Sequence, residues 1–124
     1  MSTLNRLGEE HPLRGEIWLL NLDPTVGSEI KKSRPCENHK PRPCVVVSPP
    51  EMHLHLRTVL VAPMTTKSRA APYRIPVTHA GQRGLILLDQ VRAVDKTRLV
   101  KKLGTLSGKT LALTLSTLQE IFAP

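Results

Sequence analysis

Proline limits what this chain can fold into, because it cuts the apolar stretches short. CVVVSP (residues 44–49), LRTVLVAP (56–63) and YRIPVT (73–78) are each bounded or interrupted by it. A proline fixes φ and lacks a backbone donor, so such runs cannot continue as ordinary helices or central strands. They read instead as short strands: CVVVSP a buried one, LRTVLVAP ending at Pro63, and YRIPVT demoted to an edge or bulged strand by Pro76. GEIWLLNLDP (15–24) reads as a further strand stopped at Asp23-Pro24, GLILLDQVRAV (84–94) as an apolar run that turns alternating, and RLVKKLGTL (98–106) as a weaker strand. PPEMHLH (49–55) has room for one helical turn. Only after Ser107, a plausible N-cap, does a helical stripe emerge: Leu111, Leu115, Leu118 and Phe122. Several short strands and one C-terminal helix in 124 residues predict a mainly β fold: a small, strongly bent antiparallel sheet or barrel with the helix packed on it.

Residues 1–13 read as a disordered lead and 14–124 as a single domain. The formal charge is +8, from 18 Lys+Arg against 10 Asp+Glu. Much of the excess falls between Lys31 and Arg42 and between Arg92 and Lys102. Such a chain seeks a polyanion. No apolar run approaches the ~20 residues of a membrane span. The two cysteines, Cys36 and Cys44, form no disulfide framework, which points to a reducing cytoplasm. The spacing of Cys36, His39, Cys44, His53 and His55 fits no metal site, so neither metal nor cofactor is expected. Cys44 reads as a small hydrophobe at a strand start, and His53 and His55 as a wet loop or helix edge.

The polar residues near strand ends carry the chemistry. PTVGSEIKKSRP (24–35) gathers Ser28, Glu29, Lys31, Lys32 and Arg34 in one long loop. APMTTKSR (62–69) sets Thr65, Thr66 and Lys67 directly after an apolar strand. LLDQVR (87–92) places Asp89, Gln90 and Arg92 where apolar residues would suffice. Each has a plain alternative: a turn, a structural acceptor, a solvated loop. Together they suit RNA cleavage without metal. A base such as Glu29 takes the 2′-OH proton, an arginine fork neutralises the phosphorane, and a threonine hydroxyl donates to a nonbridging oxygen.

RGEIWLLNLDPTVGSE, RPCVVVSP, VAPMTTKS, GLILLDQVRAVD and KKLGTLS, in that order, closely resemble the MazF/PemK family of bacterial toxins. The resemblance implies an SH3-like β-barrel with a C-terminal helix, acting as a homodimer. It implies a sequence-specific, metal-independent endoribonuclease of a type II toxin–antitoxin system that leaves 2′,3′-cyclic phosphate and 5′-OH ends on single-stranded mRNA. It also implies an acidic MazE-like antitoxin occupying the RNA groove. By position, Glu29 takes the glutamate of the family's GSE or GHE motif, and Ser28 stands where some members have histidine. Thr65 takes the hydroxyl that the family pairs with its catalytic arginine, and Asp89 and Gln90 match the DQ motif. Leu87 stands where the PemK branch carries an arginine, so the chain is nearer the MazF branch.

The family has one Arg-Pro before its second strand; this chain has two, Arg34-Pro35 and Arg42-Pro43. Arg34 keeps the distance to Glu29, and Arg42 keeps the join to the strand. The core should anchor Arg42 through Cys44–Val47, which favours it as the catalytic arginine, with Arg34 a groove cation. The catalytic set is then Arg42, Thr65 and Glu29, with RNA bound by Ser28, Lys31, Lys32, Arg34, Thr66, Lys67, Asp89, Gln90 and Arg92. Two other readings stay open: a nucleic-acid-binding barrel without catalysis, and a gyrase-poisoning toxin of the same fold. The scarcity of rings (Trp18, Tyr73, Phe122) weighs against the first, and the tryptophan-free C-terminus against the second.

Overall fold

The computed structural model describes residues 3–4, 10–22 and 40–124. The strands are β1 (Thr3–Leu4), β2 (Glu10–His11), β3 (Glu16–Leu20), β4 (Arg42–Val46), β5 (Thr58–Thr65), β6 (Arg74–His79), β7 (Gln82–Leu87), β8 (Arg92–Asp95) and β9 (Leu99–Thr105). The helices are α1 (Pro50–His55) and α2 (Gly108–Phe122), with 3-10 turns at Leu88–Gln90 and Lys96–Arg98. β1 and β2 pair with each other; the remaining strands form one antiparallel sheet in the order β6-β7-β5-β4-β3-β9, with β8 also on β5. This is the half-barrel with a C-terminal helix that the proline-bounded runs predict. Among the described residues no helix is long and apolar enough to cross a membrane.

β5 organises the sheet. One edge pairs with β4; the other pairs first with β8 (Thr58 to Val61) and then with β7 (Met64 and Thr65). The strand therefore continues through Pro63, where the sequence reading ends it. The ladder explains why. The Val47 N–H donates to the Leu60 carbonyl at 2.9 Å. Along a regular antiparallel ladder, this phase turns the Pro63 nitrogen away from β4. It falls where β8 has ended and β7 is only beginning, so no ladder bond is lost. The run 84–94 likewise becomes two strands rather than one, because the Leu88–Gln90 turn moves the chain from one half of β5 to the other. Pro76 lies in the edge strand β6, as expected.

Alternation along the central strands feeds two cores. Ile17, Val45, Ala62 and Met64 join Ile75, Ile86, Leu88 and Leu106 on the side covered by α2. Trp18, Leu20, Cys44, Val46, Val59 and Val61 join Val94 and Leu99 on the other. CVVVSP is thus buried on both faces, and Cys44 is the small core hydrophobe expected. Ser107 caps α2, its hydroxyl accepting from the Thr110 N–H at 3.2 Å. The buried face of α2 is rotated from the expected stripe. Leu111, Leu118 and Ile121 pack on the core around the buried Thr114 and Thr117, whereas Phe122 is 73% exposed.

The lead is not uniform. His11 pairs with Thr3, Pro12 is buried, and the Leu13 N–H donates to Glu16 Oε1 at 2.8 Å, so ordered packing begins before residue 14. Glu16 itself is buried. It accepts from Trp18 Nε1 at 3.0 Å and lies 2.9 Å from the Lys102 ammonium. His53, expected on a wet edge, is fully buried: it accepts the Ser48 hydroxyl proton at Nε2 and donates from Nδ1 to the Pro12 carbonyl at 2.9 Å.

Candidate active site

Antiparallel pairing brings the start of β4 beside the end of β5. The last ladder pair is Cys44 with Pro63. Carrying that register two residues further sets Arg42 opposite Thr65. Arg42 is exposed, but the three residues from Cys44 to Val46 are completely buried, so its backbone is fixed by the core. Pro43, between them, restricts Arg42 toward extended conformations. Thr65 is fixed in the same way by the buried Met64 before it and by pairing with Leu85 of β7.

These two ends open into a cavity of about 210 Å³. Its polar lining comes from Arg42, Thr65, Thr66, Lys67, His79 and Gln82, and its apolar lining from Pro43, Met64, Val77 and Gly84. The Thr65 hydroxyl oxygen accepts from the Lys67 N–H at 3.1 Å. Its own proton therefore remains to be given to a ligand oxygen. Gly84 is required by close packing: a Cβ there would sit 2.7 Å from the Thr65 carbonyl oxygen.

Arg42 and Pro43 also line a second concavity of about 240 Å³ with Lys40, Gln90, Arg92 and the apolar Leu20, Leu22, Val61 and Pro63. Arg42 thus stands between two hollows, with Thr65, Thr66 and Lys67 in one and Gln90 and Arg92 in the other. Among the described residues, the formally charged side chains lining both are cations, which suits a phosphate backbone running across Arg42. Asp89 is placed differently from its neighbour Gln90. Both its carboxylate oxygens are held by the Arg74 guanidinium, at 3.2 and 3.1 Å, and that pairing keeps the carboxyl below its ordinary range. Glu29, Ser28, Lys31, Lys32, Arg34 and Cys36 lie outside the described residues.

Two other groups with nucleophilic chemistry are disabled by burial. Burial pushes the Cys44 thiol up to about 12, far from the thiolate a nucleophile needs. Ser48 and His53 form a buried pair beneath the surface, with the Ser48 oxygen also accepting the Leu60 N–H at 2.9 Å.

His79, Gln82, Lys40 and Gly84 escape the sequence reading. His79 and Gln82 face each other across the β6–β7 turn, whose two residues, Ala80 and Gly81, both have positive φ. A two-residue turn of this kind is a hairpin signal, and it sits in the sequence as THAGQR. It would place His79 beside Gln82, but not beside Arg42.

Comparison with known proteins agrees with this architecture. The family described as PemK-like, MazF-like toxin of type II toxin-antitoxin system matches residues 37–122. Endoribonuclease PemK of Escherichia coli is 34% identical over 87 residues, covering 66% of this chain and 59% of that protein. Endoribonuclease toxin MazF of Escherichia coli K12 is 30% identical over 103 residues, covering 82% of this chain and 86% of the relative. Among solved structures, a mycobacterial endoribonuclease in complex with its cognate antitoxin superposes with a TM-score of 0.71 at 20% identity, covering 91% of this chain and 97% of the other. Deinococcus radiodurans MazF also gives a TM-score of 0.71, at 23% identity, covering 94% of this chain and all of that one. At these identities the structural likeness speaks to the fold.

Proposed function

The chain belongs to the PemK-like, MazF-like toxin family of type II toxin–antitoxin systems, a family of endoribonucleases, and from that premise we propose that it cleaves single-stranded mRNA at specific sequences in the cytoplasm by 2′-OH attack, without a metal ion. The observation that carries this reading is the meeting of Arg42 and Thr65 at adjoining strand ends in one cationic cavity.

Arg42 takes the catalytic arginine's role and Arg34 that of an RNA-binding cation. The Arg42 fork bridges the nonbridging oxygens, and it meets their charge as the phosphorane forms. The Thr65 hydroxyl donates to one of the same oxygens, a bond that tightens as charge develops. Glu29 takes the 2′-OH proton. Lys67 and Thr66 on one side of Arg42, and Lys40, Gln90 and Arg92 on the other, hold the flanking nucleotides. The products are a 2′,3′-cyclic phosphate and a 5′-hydroxyl.

The same cationic surface suits an acidic antitoxin. Deinococcus radiodurans MazF is solved in complexes with MazE, and we extend that pairing to this chain, together with a homodimeric state. Charge complementarity at an exposed surface should weaken as salt rises.

The test is cleavage of a long unstructured RNA in EDTA, with the ends mapped, beside the same RNA carrying one 2′-deoxy nucleotide before each cut. Cleavage that survives EDTA and stops at the deoxy positions supports the reading. Cutting of the deoxy positions, or a requirement for divalent metal, refutes it.

A further inference from the structure

Cleavage by 2′-OH attack has one proton still unassigned. The departing 5′-oxygen is a poor leaving group as an alkoxide and needs a proton as its bond to phosphorus breaks. Arginine is a weak donor, because its guanidinium holds its proton above pH ~12. Thr65 and Lys67 are weak donors too. Among the described residues lining the Arg42 cavity, only His79 belongs to a residue type that exchanges a proton readily near neutral pH.

The fold positions that ring. His79 ends β6 and pairs with Gln82 across the Ala80-Gly81 turn. Its ring lies over Gly104 of β9: a Cβ at Gly104 would come 3.2 Å from His79 Cε1. Absence of a side chain at Gly104 thus makes the seat for the ring. His79 also lines a larger hollow of about 530 Å³ with Arg83, Thr105 and Thr110, so it stands where two cavities meet. A strand passing from one hollow to the other passes His79.

We infer that His79 is the general acid of the reaction, giving its ring proton to the 5′-oxygen. The step rests on the endoribonuclease reading above. The 2′-oxygen bonds to phosphorus and its proton passes to the base. The bond from phosphorus to the 5′-oxygen breaks, and that oxygen takes the proton from the His79 imidazolium. Before the next turnover the base gives its proton to water and the neutral imidazole takes one back from water. The charged groups that line the two cavities with His79 are Arg42, Lys67 and Arg83, all cations.

The experiment compares two substrates with wild-type protein and His79→Gln. One is ordinary RNA with a single cleavage site; the other carries sulfur in place of the 5′-bridging oxygen at that site. A thiolate leaves without a proton. On ordinary RNA at saturation, His79→Gln should slow the single-turnover step by about 10²–10⁴-fold. On the sulfur substrate the same variant should cut within a few fold of wild type. RNA binding by the uncleavable 2′-deoxy form, measured for both proteins, verifies that the variant is folded, and His79→Asn repeats the comparison if His79→Gln does not bind. Equal losses on both substrates, or no loss on ordinary RNA, overturn the assignment of His79 while wild-type cleavage leaves the endoribonuclease reading standing. Failure of wild-type protein to cut either substrate overturns both.

Discussion

Gly84→Ala tests whether the Thr65 backbone is held to functional tolerance. The added Cβ would stand 2.7 Å from the Thr65 carbonyl oxygen and 3.3 Å from its carbonyl carbon. Ordinary van der Waals contact begins at 3.4 Å, so β5 and β7 must separate locally by about 0.7 Å. Neither strand can yield freely, because Thr65 pairs with Leu85 while Met64, next to Thr65, is buried against Ile86. Overpacking of this kind costs about 1–3 kcal/mol in stability. The functional consequence should be sharper. Catalytic groups must be held within about half an ångström, and a misplacement near 1 Å costs about 10²-fold in rate. A shift of about 0.7 Å therefore predicts a single-turnover rate lowered by roughly 10- to 10²-fold, with RNA affinity changed much less. Gly108→Ala is the matched control: nothing lies within 4 Å of its would-be Cβ, and it begins α2. It should be neutral or slightly stabilising and fully active. The assays are urea unfolding and single-turnover cleavage at saturating RNA. A Gly84→Ala protein that loses stability yet cleaves at the wild-type rate would refute the argument that Thr65 works through a tightly held position.

Two further outcomes follow from the same geometry. Thr65→Val should lower the rate by about 10²-fold or more and Thr66→Val much less, and Arg42→Ala should cost roughly 10²–10³-fold where Arg34→Ala mainly weakens binding; rates and Kd values for the four variants decide this. The buried Ser48–His53 pair should make stability fall in acid: burial, the largest cause, holds His53 below its ordinary value of 6.5, so its contribution is whole above pH 6.5 and is lost as pH falls toward the lower folded value, by at most about 1.4 kcal/mol per pH unit. Urea midpoints across that window should show the slope in wild type and a shallower one in His53→Gln; equal slopes would assign it to other groups.

Local chemistry in the sequence determined the element types. Prolines cut the apolar runs to strand length, the unbroken apolar run in CVVVSP marked a buried strand, and Ser107 announced the C-terminal helix. The conjunction of Arg42 with Thr65 was half legible, because each was seen at a strand end but not that the two ends adjoin. That depended on register. The register of β4 on β5 is set by which side chains fill the two cores, a property of the whole sheet that no local window contains. The same holds for the errors. Proline lacks an N–H everywhere, but only the gap between β8 and β7 makes that harmless at Pro63. A helical stripe leaves its rotation free by a residue or so, and only the barrel beneath it placed Thr114 and Thr117 inside and Phe122 outside. His53 read as a surface histidine because its partners, Ser48 and the Pro12 carbonyl, are brought together by folding. His79 gave no sign beyond its hairpin turn: outside that hairpin its neighbours in the cavity come from β4, β5 and the residues after β5, the glycine beneath it comes from β9, and only the curling of the sheet toward a barrel brings those strands to one place.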